Sequence, residues 1–281
     1  MWARDGRIKT KWSLLDKLKN MKFAIITDIH MGPDGFWKGV QRKIGANAKE
    51  FVSNFIKTMN NEVKPSFVVV LGDLIEDDNP ENDKEHMLFL VGEFEKLNCP
   101  VYFVTGNHDL KNISEDELMD IFKQKKLFYS FDSDNLHFIV LFSKQIKGKG
   151  FTITDEQIKW LKKELNNARK DCIVFAHAGL ADQDLAGNPW FEGRPDSCLV
   201  LNRDEVRNIF ENSGKVRAVF NSHLHWDKMH THNSIPYFTL QSLVENEDDK
   251  GLPSQAYSIV NIEDKKISVE VKGNYPKKFI H

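Results

Sequence analysis

Three β-rich apolar runs, KFAIIT (22–27), SFVVVL (66–71) and VYFVT (101–105), alternate with amphipathic stretches at 45–60, 84–97 and 114–124. Runs that are apolar throughout, with helices long enough for crossovers between them, predict βαβαβα and a parallel sheet covered on both faces. The pattern then changes. LFYSFD (127–132) and LHFIVLF (136–142) flank an Asp-Ser-Asp-Asn turn, which predicts a hairpin that opens a second sheet. After the Lys/Gly-rich link 144–150, Thr154 with Glu156 and Gln157 signals a helix over 155–168, followed by the strand CIVFAH (172–177). A helix at 202–212, strands at 216–221 and 236–240, the acidic stretch 245–250, and paired strands at 256–262 and 266–272 complete the chain. The polar, aperiodic segment 178–200 holds Trp190 and Phe191, as a binding loop or lid does. The simplest architecture is α/β: two packed sheets with helices outside, forming one domain over 21–281 with substrate-side loops near 32–45 and 178–200.

Charge and cysteine usage narrow the function class. A formal net charge of −2 with 28% charged residues gives no basic surplus for a nucleic-acid surface. Cys99, Cys172 and Cys198 are odd in number and lack a CxxC pair, which reads as reduced thiols in a cytoplasmic protein. No apolar stretch approaches the ~18 residues that cross a membrane. Residues 1–20 form a basic extension without a signal-peptide core, expected to pack loosely on the body or to rest weakly on an anionic surface. MKFAIITDIH would itself make a sensible chain start, so removal of that extension should spare the core.

Five strand-like runs end in chemically capable residues: IITDIH, VVVLGDL, YFVTGNHD, IVFAH and AVFNSHLH. In a parallel sheet the carboxyl ends share one edge, so Asp28, His30, Asp73, Asn107, His108, Asp109, His177, His223 and His225 converge from across the chain. Singly, each Asp or Asn suits a turn or cap, and Gly72 or Gly106 a relaxed backbone. Together they are expected to bind metal, because packing alone gives no reason to gather five His and three Asp without partners. Imidazole with carboxylate suits manganese, iron, zinc, cobalt or nickel. No cysteine in the set argues against thiolate zinc or iron–sulfur, and five His are too many for magnesium. The donors exceed one coordination sphere, as in a pair of ions about 3.5 Å apart sharing a carboxylate.

The ordered blocks Asp28-Ile-His30, Gly72-Asp73, Gly106-Asn107-His108-Asp109, His177 and His223-Leu-His225 resemble the calcineurin-like metallophosphoesterase superfamily over residues 22 to about 242. The resemblance implies a four-layer α/β/β/α sandwich of two mixed sheets with a dinuclear metal site at strand carboxyl ends. It further implies that Asp28, His30, Asp73 and His225 hold one divalent transition-metal ion and that Asp73, Asn107, His177 and His223 hold the other, with manganese or iron favoured and zinc an alternative. Metal-held hydroxide would attack phosphorus, His108 would stabilise or protonate the departing oxygen, and Asp109 would orient the His108 imidazole. Ala176-His177-Ala178 and Ser222-His223 depart from the superfamily's usual neighbours, with modest geometric effect expected. IPYFTLQSLVE (235–245) is similar to the cyclic-nucleotide phosphodiesterase branch, whereas Ala178-Gly179 does not match that branch's His-Pro.

Competing functions fit less well. The string His223-Leu-His225-Trp-Asp227 imitates the H-x-H-x-D of metallo-β-lactamase-fold hydrolases, but it lies late and leaves Asp28, Asp73 and Asn107 unexplained. Asp227, His230 and His232 are then exposed loop residues. A catalytically silent scaffold should have lost a ligand or His108, and a DNA nuclease should carry basic excess. The expected activity is hydrolysis of a phosphodiester in a small nucleotide-like substrate, with a phosphomonoesterase or a nucleoside-diphosphate-linked pyrophosphatase as the alternative. Phe36, Trp37, Trp190 and Phe191 could stack a base, and Lys38, Arg42 or Arg194 could take phosphate charge, against local packing of the same loops. A homodimer is left open.

Overall fold

The computed structural model describes residues 20–264 and 266–281, so the basic extension, Asn20 apart, lies outside the described residues. The first half of the chain runs β1 (Met21–Ile26), β2 (Gly35–Trp37), β3 (Val40–Lys43), α1 (Ala48–Thr58), β4 (Val68–Val70), α2 (Pro80–Phe94), β5 (Val101–Phe103) and α3 (Glu115–Phe122). It continues with β6 (Tyr129–Ser133), β7 (Leu136–Leu141), β8 (Lys144–Ile146), β9 (Gly150–Thr152), α4 (Asp155–Asn167) and β10 (Asp171–Ala176). The last part holds α5 (Arg203–Ser213), β11 (Val216–Asn221), β12 (Lys228–His232), β13 (Ile235–Thr239), β14 (Tyr257–Glu263), β15 (Lys266–Lys272) and β16 (Lys277–Ile280).

Two six-stranded mixed sheets result, in the orders β16-β15-β14-β1-β4-β5 and β12-β13-β11-β10-β7-β6. In the first, β1, β4 and β5 run parallel, with Ala24 opposite Val68 and Val68 opposite Val101, while β14 pairs antiparallel to β1. In the second, β7, β10, β11 and β13 are parallel and the β6–β7 hairpin closes one edge.

Strand alternation sorts side chains into layers. From β1, Phe23 and Ile25 turn between the sheets, whereas Ala24 and Ile26 meet Phe51, Val52 and Phe55 of α1 and neighbours from α2 and α3. From β10, Ile173 and Phe175 face inward, and Cys172, Val174 and Ala176 meet Leu161 and Leu165 of α4 and Val206 and Phe210 of α5. The layers are therefore α/β/β/α. On the inner face of the second sheet Phe131, Phe138, Phe175, Phe220 and Phe238 occupy successive strands, with ring spacings of 5.0, 6.1, 5.7 and 5.0 Å. Phe23 and Phe67 of the first sheet stack at 4.9 Å and press edge-on against this row.

Local signals set the helix starts. Ser114 and Glu117 form a capping box before α3, and Thr154 accepts from the Gln157 N–H before α4. Four features depart from the sequence expectations. The β2–β3 and β8–β9 hairpins fall in stretches read as loop and link, β12 occupies the supposed exposed loop after Asp227, and β16 adds an edge strand. Each is short and weakly apolar, so periodicity is faint over its length. The carboxyl ends of β1, β4, β5, β10 and β11 nevertheless reach one edge, where the two sheets meet.

Candidate metal centre

Asp28, His30 and His225 bring ligand-type atoms together at one point, and Asp73, His177 and His223 do so at another; both clusters are buried. In the first, His225 Nε2 is 3.2 Å from Asp28 Oδ1 and 3.1 Å from His30 Nε2. In the second, His177 Nε2 is 3.2 Å from Asp73 Oδ2. Asp73 Oδ2 also lies 3.7 Å from His30 Nε2, so this oxygen faces both clusters.

The neighbouring groups fix which atom each residue offers. Asp28 Oδ2 accepts from the Thr27 hydroxyl and the His223 N–H, leaving Oδ1 toward the cluster. Asp73 Oδ1 accepts the His108 N–H at 2.8 Å, leaving Oδ2. His177 Nδ1 sits 2.9 Å from the Leu71 carbonyl and His223 Nε2 3.1 Å from the Ser197 carbonyl, so the opposite ring nitrogens carry the lone pairs. His225 Nδ1 lies 2.7 Å from Glu245 Oε2, and His30 Nδ1 2.7 Å from Glu76 Oε2. Asn107 Oδ1 is buried with no hydrogen-bond partner among the described residues, and Asp28 Oδ1 and Asp73 Oδ2 face only the imidazole nitrogens of the clusters. Buried acceptors of this kind are costly unless a cation or water completes them, and nitrogen with carboxylate and amide oxygen suits a transition metal. The donor set fits two divalent ions.

The backbone is bent to present these side chains. Asp28, His30, Asp73, His223 and His225 hold φ of 46°, 41°, 51°, 69° and 53°, the left-handed region that costs a non-glycine residue on the order of 1–3 kcal/mol. Gly106 serves through close approach: a Cβ there would come within 2.2 Å of Asp73 Oδ1 and of the Asp73 nitrogen. The smallest residue is thus required beside the central carboxylate.

Burial raises a carboxyl pKa, yet the His225 charge beside Asp28 brings it down to about 2. Asp73 likewise falls well below the usual range, because His177 and His108 outweigh its burial. Burial works against a charged His225 and His177, but Asp28 holds the first up to about 10 and Asp73 the second up to about 9. Burial dominates at His30, lowered to about 4 with Lys43 adding to it, and at His223, lowered to about 3 with the His177 charge nearby. Without metal, two imidazolium groups carry positive charge beside the two acids.

Asp109 does not orient His108. Its buried carboxylate accepts the backbone N–H groups of Asp73 (3.1 Å), Leu74 (2.7 Å) and Gly106 (2.8 Å), clamping the β4 and β5 ends together. Burial and the nearby Asp73 charge push it up to about 7. The carboxylate beside His108 Nδ1 is Asp77, with Glu76 Oε1 at 3.9 Å. Burial opposes the His108 charge, but Asp73 and Asp77 raise its pKa overall. His108 keeps 20% side-chain exposure, which leaves the ring open to a substrate beside the buried clusters.

The aromatic loops close on the ligands and on one another. Trp37 and Trp190 stack at 5.8 Å, short of the ~7 Å that two van der Waals spacings around an intervening base require. The Arg194 guanidinium covers Trp37 at 4.9 Å and bonds the Trp190 carbonyl. Trp190 donates from Nε1 to Glu245 Oε2, and its ring lies 5.7 Å from that of His225. Phe191 packs 4.9 Å from the His223 ring. Arg42 pairs with Asp249 at 2.5 Å. Phe36, 65% exposed, and Lys38 project from the β2–β3 tip. Asp227, expected in an exposed loop, is buried and accepts the Gln241 N–H at 3.0 Å.

Glu76, Asp77, Lys43 and Glu245 were not singled out from the sequence. The acidic run that follows Gly72-Asp73-Leu74 and the conclusion of IPYFTLQSLVE were the available signals.

Comparison with known proteins agrees with this geometry. A bacterial protein of Xenorhabdus bovienii named as a probable cyclic nucleotide phosphodiesterase is 25% identical over 219 residues, covering 76% of this chain and 83% of its own. A manganese-dependent ADP-ribose/CDP-alcohol diphosphatase of Arabidopsis thaliana is 23% identical over 256 residues, covering 72% and 79%. A dimetal phosphatase structure from Danio rerio superposes with a TM-score of 0.73 at 16% identity, over 92% of this chain and 98% of that one, a likeness of fold. The calcineurin-like phosphoesterase model matches residues 21–227, and this chain belongs to that family.

Proposed function

We propose that the chain hydrolyses a phosphodiester bond in a small nucleotide-like substrate, using two divalent transition-metal ions, manganese or iron first and zinc as the alternative. The supporting observation is the pair of buried clusters of imidazole and carboxylate, with Asp73 Oδ2 facing both. Asp28, His30, Asp73 and His225 would hold one ion, and Asp73, Asn107, His177 and His223 the other. Bound there, the ions supply positive charge to phosphoryl oxygens and lower the pKa of a held water. The chain's own part is to orient and to move a proton. His108, oriented by Asp77, donates to the departing oxygen, and Asp109 keeps the Asp73 loop in register with Gly106. Phe36 and Lys38 stand at the loop rim where a substrate enters, while Trp37, Trp190, Phe191 and Arg194 wall the ligands. The names of the bacterial and plant relatives, a phosphodiesterase and a diphosphatase, both fit cleavage at such a centre. Three free thiols accord with a reducing compartment such as the cytoplasm.

A panel of bis(p-nitrophenyl) phosphate, cyclic nucleotides, dinucleotide-linked diphosphates, monoesters and oligonucleotides with Mn²⁺ tests this function. Turnover of small diesters above monoesters and oligonucleotides is expected; no hydrolysis of any diester by protein holding two equivalents of metal would overturn it. His108→Ala should keep both ions, because the hydrogen bond that His108 gives Asp73 comes from its backbone N–H, and should lose most turnover of diesters with poor leaving groups. Unchanged turnover would remove its proton role.

A further inference from the structure

Ser222 follows β11 and precedes His223, at a point where the chain departs from its superfamily's usual neighbours. Its backbone N–H donates to the His177 carbonyl at 3.0 Å, which holds the ends of β10 and β11 together. Its hydroxyl reaches two further partners. Oγ lies 2.9 Å from the Leu71 carbonyl and 3.0 Å from His177 Nδ1. Leu71 follows β4 of the first sheet and Ser222 follows β11 of the second, so one hydroxyl joins the two sheets across 151 residues of chain. Ser222 and His177 are both 0% exposed, so water does not substitute for it.

Donor and acceptor accounting fixes the roles. A carbonyl only accepts, and that of Leu71 has two lone pairs for the two groups beside it, His177 Nδ1 at 2.9 Å and the Ser222 hydroxyl. With its own proton given to Leu71, Ser222 Oγ turns a lone pair to the Nδ1–H, which then has two acceptors. The ring is held with Nδ1 protonated and with Nε2 3.2 Å from Asp73 Oδ2, on the side of the second cluster. Gly72 clears the space for this ring, because a Cβ there would come within 2.5 Å of Nδ1. A plainer role for Ser222 is small size alone, keeping the chain tight before His223. The two roles differ in what glycine does at this position.

We propose that Ser222 is a positioning residue for the second ion, its hydroxyl fixing the tautomer and rotation of His177 by bonding that ring to the first sheet. The inference rests on the two-ion reading above and adds to it a residue that is not itself a ligand. Loss of the hydroxyl leaves the His177 N–H with the Leu71 carbonyl alone and removes the bond between Ser222 and the β4 end. The second ion then weakens. The first ion is unaffected, because its histidines, His30 and His225, are backed by Glu76 and Glu245 and make no contact with Ser222.

The test titrates the metal-free full chain with Mn²⁺ and compares Ser222→Ala, Ser222→Gly and a control, Ser143→Ala. Ser143 is buried too, and its hydroxyl accepts the Ala178 N–H at 3.1 Å, beside His177 in the chain but not on its ring. Both Ser222 variants should bind the second ion about tenfold more weakly, the effect of losing an outer partner of a ligating histidine, with the first ion and the control at wild-type affinity. In Zn²⁺-loaded protein carrying isotope-labelled histidine, the His177 Nδ1–H resonance should shift and exchange faster with solvent in Ser222→Ala, and stay in place in Ser143→Ala. Wild-type affinity for both ions in Ser222→Gly would show that small size is the whole role and overturn the proposal. An unmoved His177 resonance, equal weakening of both ions, or as large a loss in Ser143→Ala would overturn it as well. A wild type that holds fewer than two equivalents would instead overturn the two-ion reading.

Discussion

Trp190→Phe should weaken one metal ion and spare the other. The substitution keeps an aromatic ring against Trp37 and removes a single N–H. That N–H donates at 3.0 Å to Glu245 Oε2, the oxygen that also lies 2.7 Å from His225 Nδ1. Glu245 is buried, so water has little access to replace the lost donor. A hydrogen bond to a charged group contributes about 1.5–3 kcal/mol, and the tether it steadies aims the His225 lone pair. At about 1.4 kcal/mol per factor of ten, loss of the full amount corresponds to roughly 10- to 150-fold, in line with the 10- to 100-fold typical of outer partners of ligating histidines. The second cluster is steadied by the Leu71 and Ser197 carbonyls and should not respond. Titration of metal-free protein with Mn²⁺ against a fluorescent chelator, followed by elemental analysis after gel filtration, reads the two affinities. One equivalent retained where wild type retains two is the expected result. Equal weakening of both ions, or wild-type retention of both, would show that the Trp190–Glu245–His225 chain does not act as described.

Metal loading should also release protons. His177 at about 9 and His225 at about 10 are protonated at pH 7.5 without metal, so calorimetry in buffers of different ionisation enthalpy should report about two protons released per pair of ions, fewer as pH rises through those values. No buffer dependence would contradict it. Asp109→Ala leaves three close backbone donors without their acceptor, which at 1–3 kcal/mol each predicts a loss of at least ~3 kcal/mol in denaturant unfolding, with the conservative Asn variant intermediate. A loss below 1 kcal/mol would refute the clamp. Asp227, pushed up to about 7 mainly by burial with Lys277 opposing, favours its neutral form in the fold. Its stabilising contribution is complete below the unfolded carboxyl value near 4 and is lost as pH rises to about 7, so Asp227→Asn should gain on wild type across that window, by at most about 4 kcal/mol. A melting-temperature difference independent of pH would remove the assignment.

The ligand blocks were legible because each follows a buried strand, where chain direction alone puts it on the shared edge. Asp28 and His30 needed no tertiary knowledge beyond β1. The residues that steady them were not legible in the same way. Glu245 reaches His225 from the far side of the β12–β13 hairpin, and Trp190 meets Glu245 across 55 residues. No local periodicity encodes such meetings. Asp109 misled for a related reason: adjacency to His108 suggested a pair, but the 3₁₀ turn carries its carboxylate back to the β4 end. Trp37 and Trp190 carried an aromatic signal whose two outcomes, stacking a ligand or stacking each other, differ only in the spacing of two loops.

The left-handed backbone at Asp28, His30, Asp73, His223 and His225 gives the fold a direction of evolutionary drift. Each of these residues sits where glycine would rest without strain, so exchanging a ligand for glycine relieves the metal-free backbone while abolishing the chemistry. Decay into an inert scaffold therefore runs downhill in backbone energy. Holding all five in that conformation therefore concentrates backbone strain at the one edge where the candidate ligands converge.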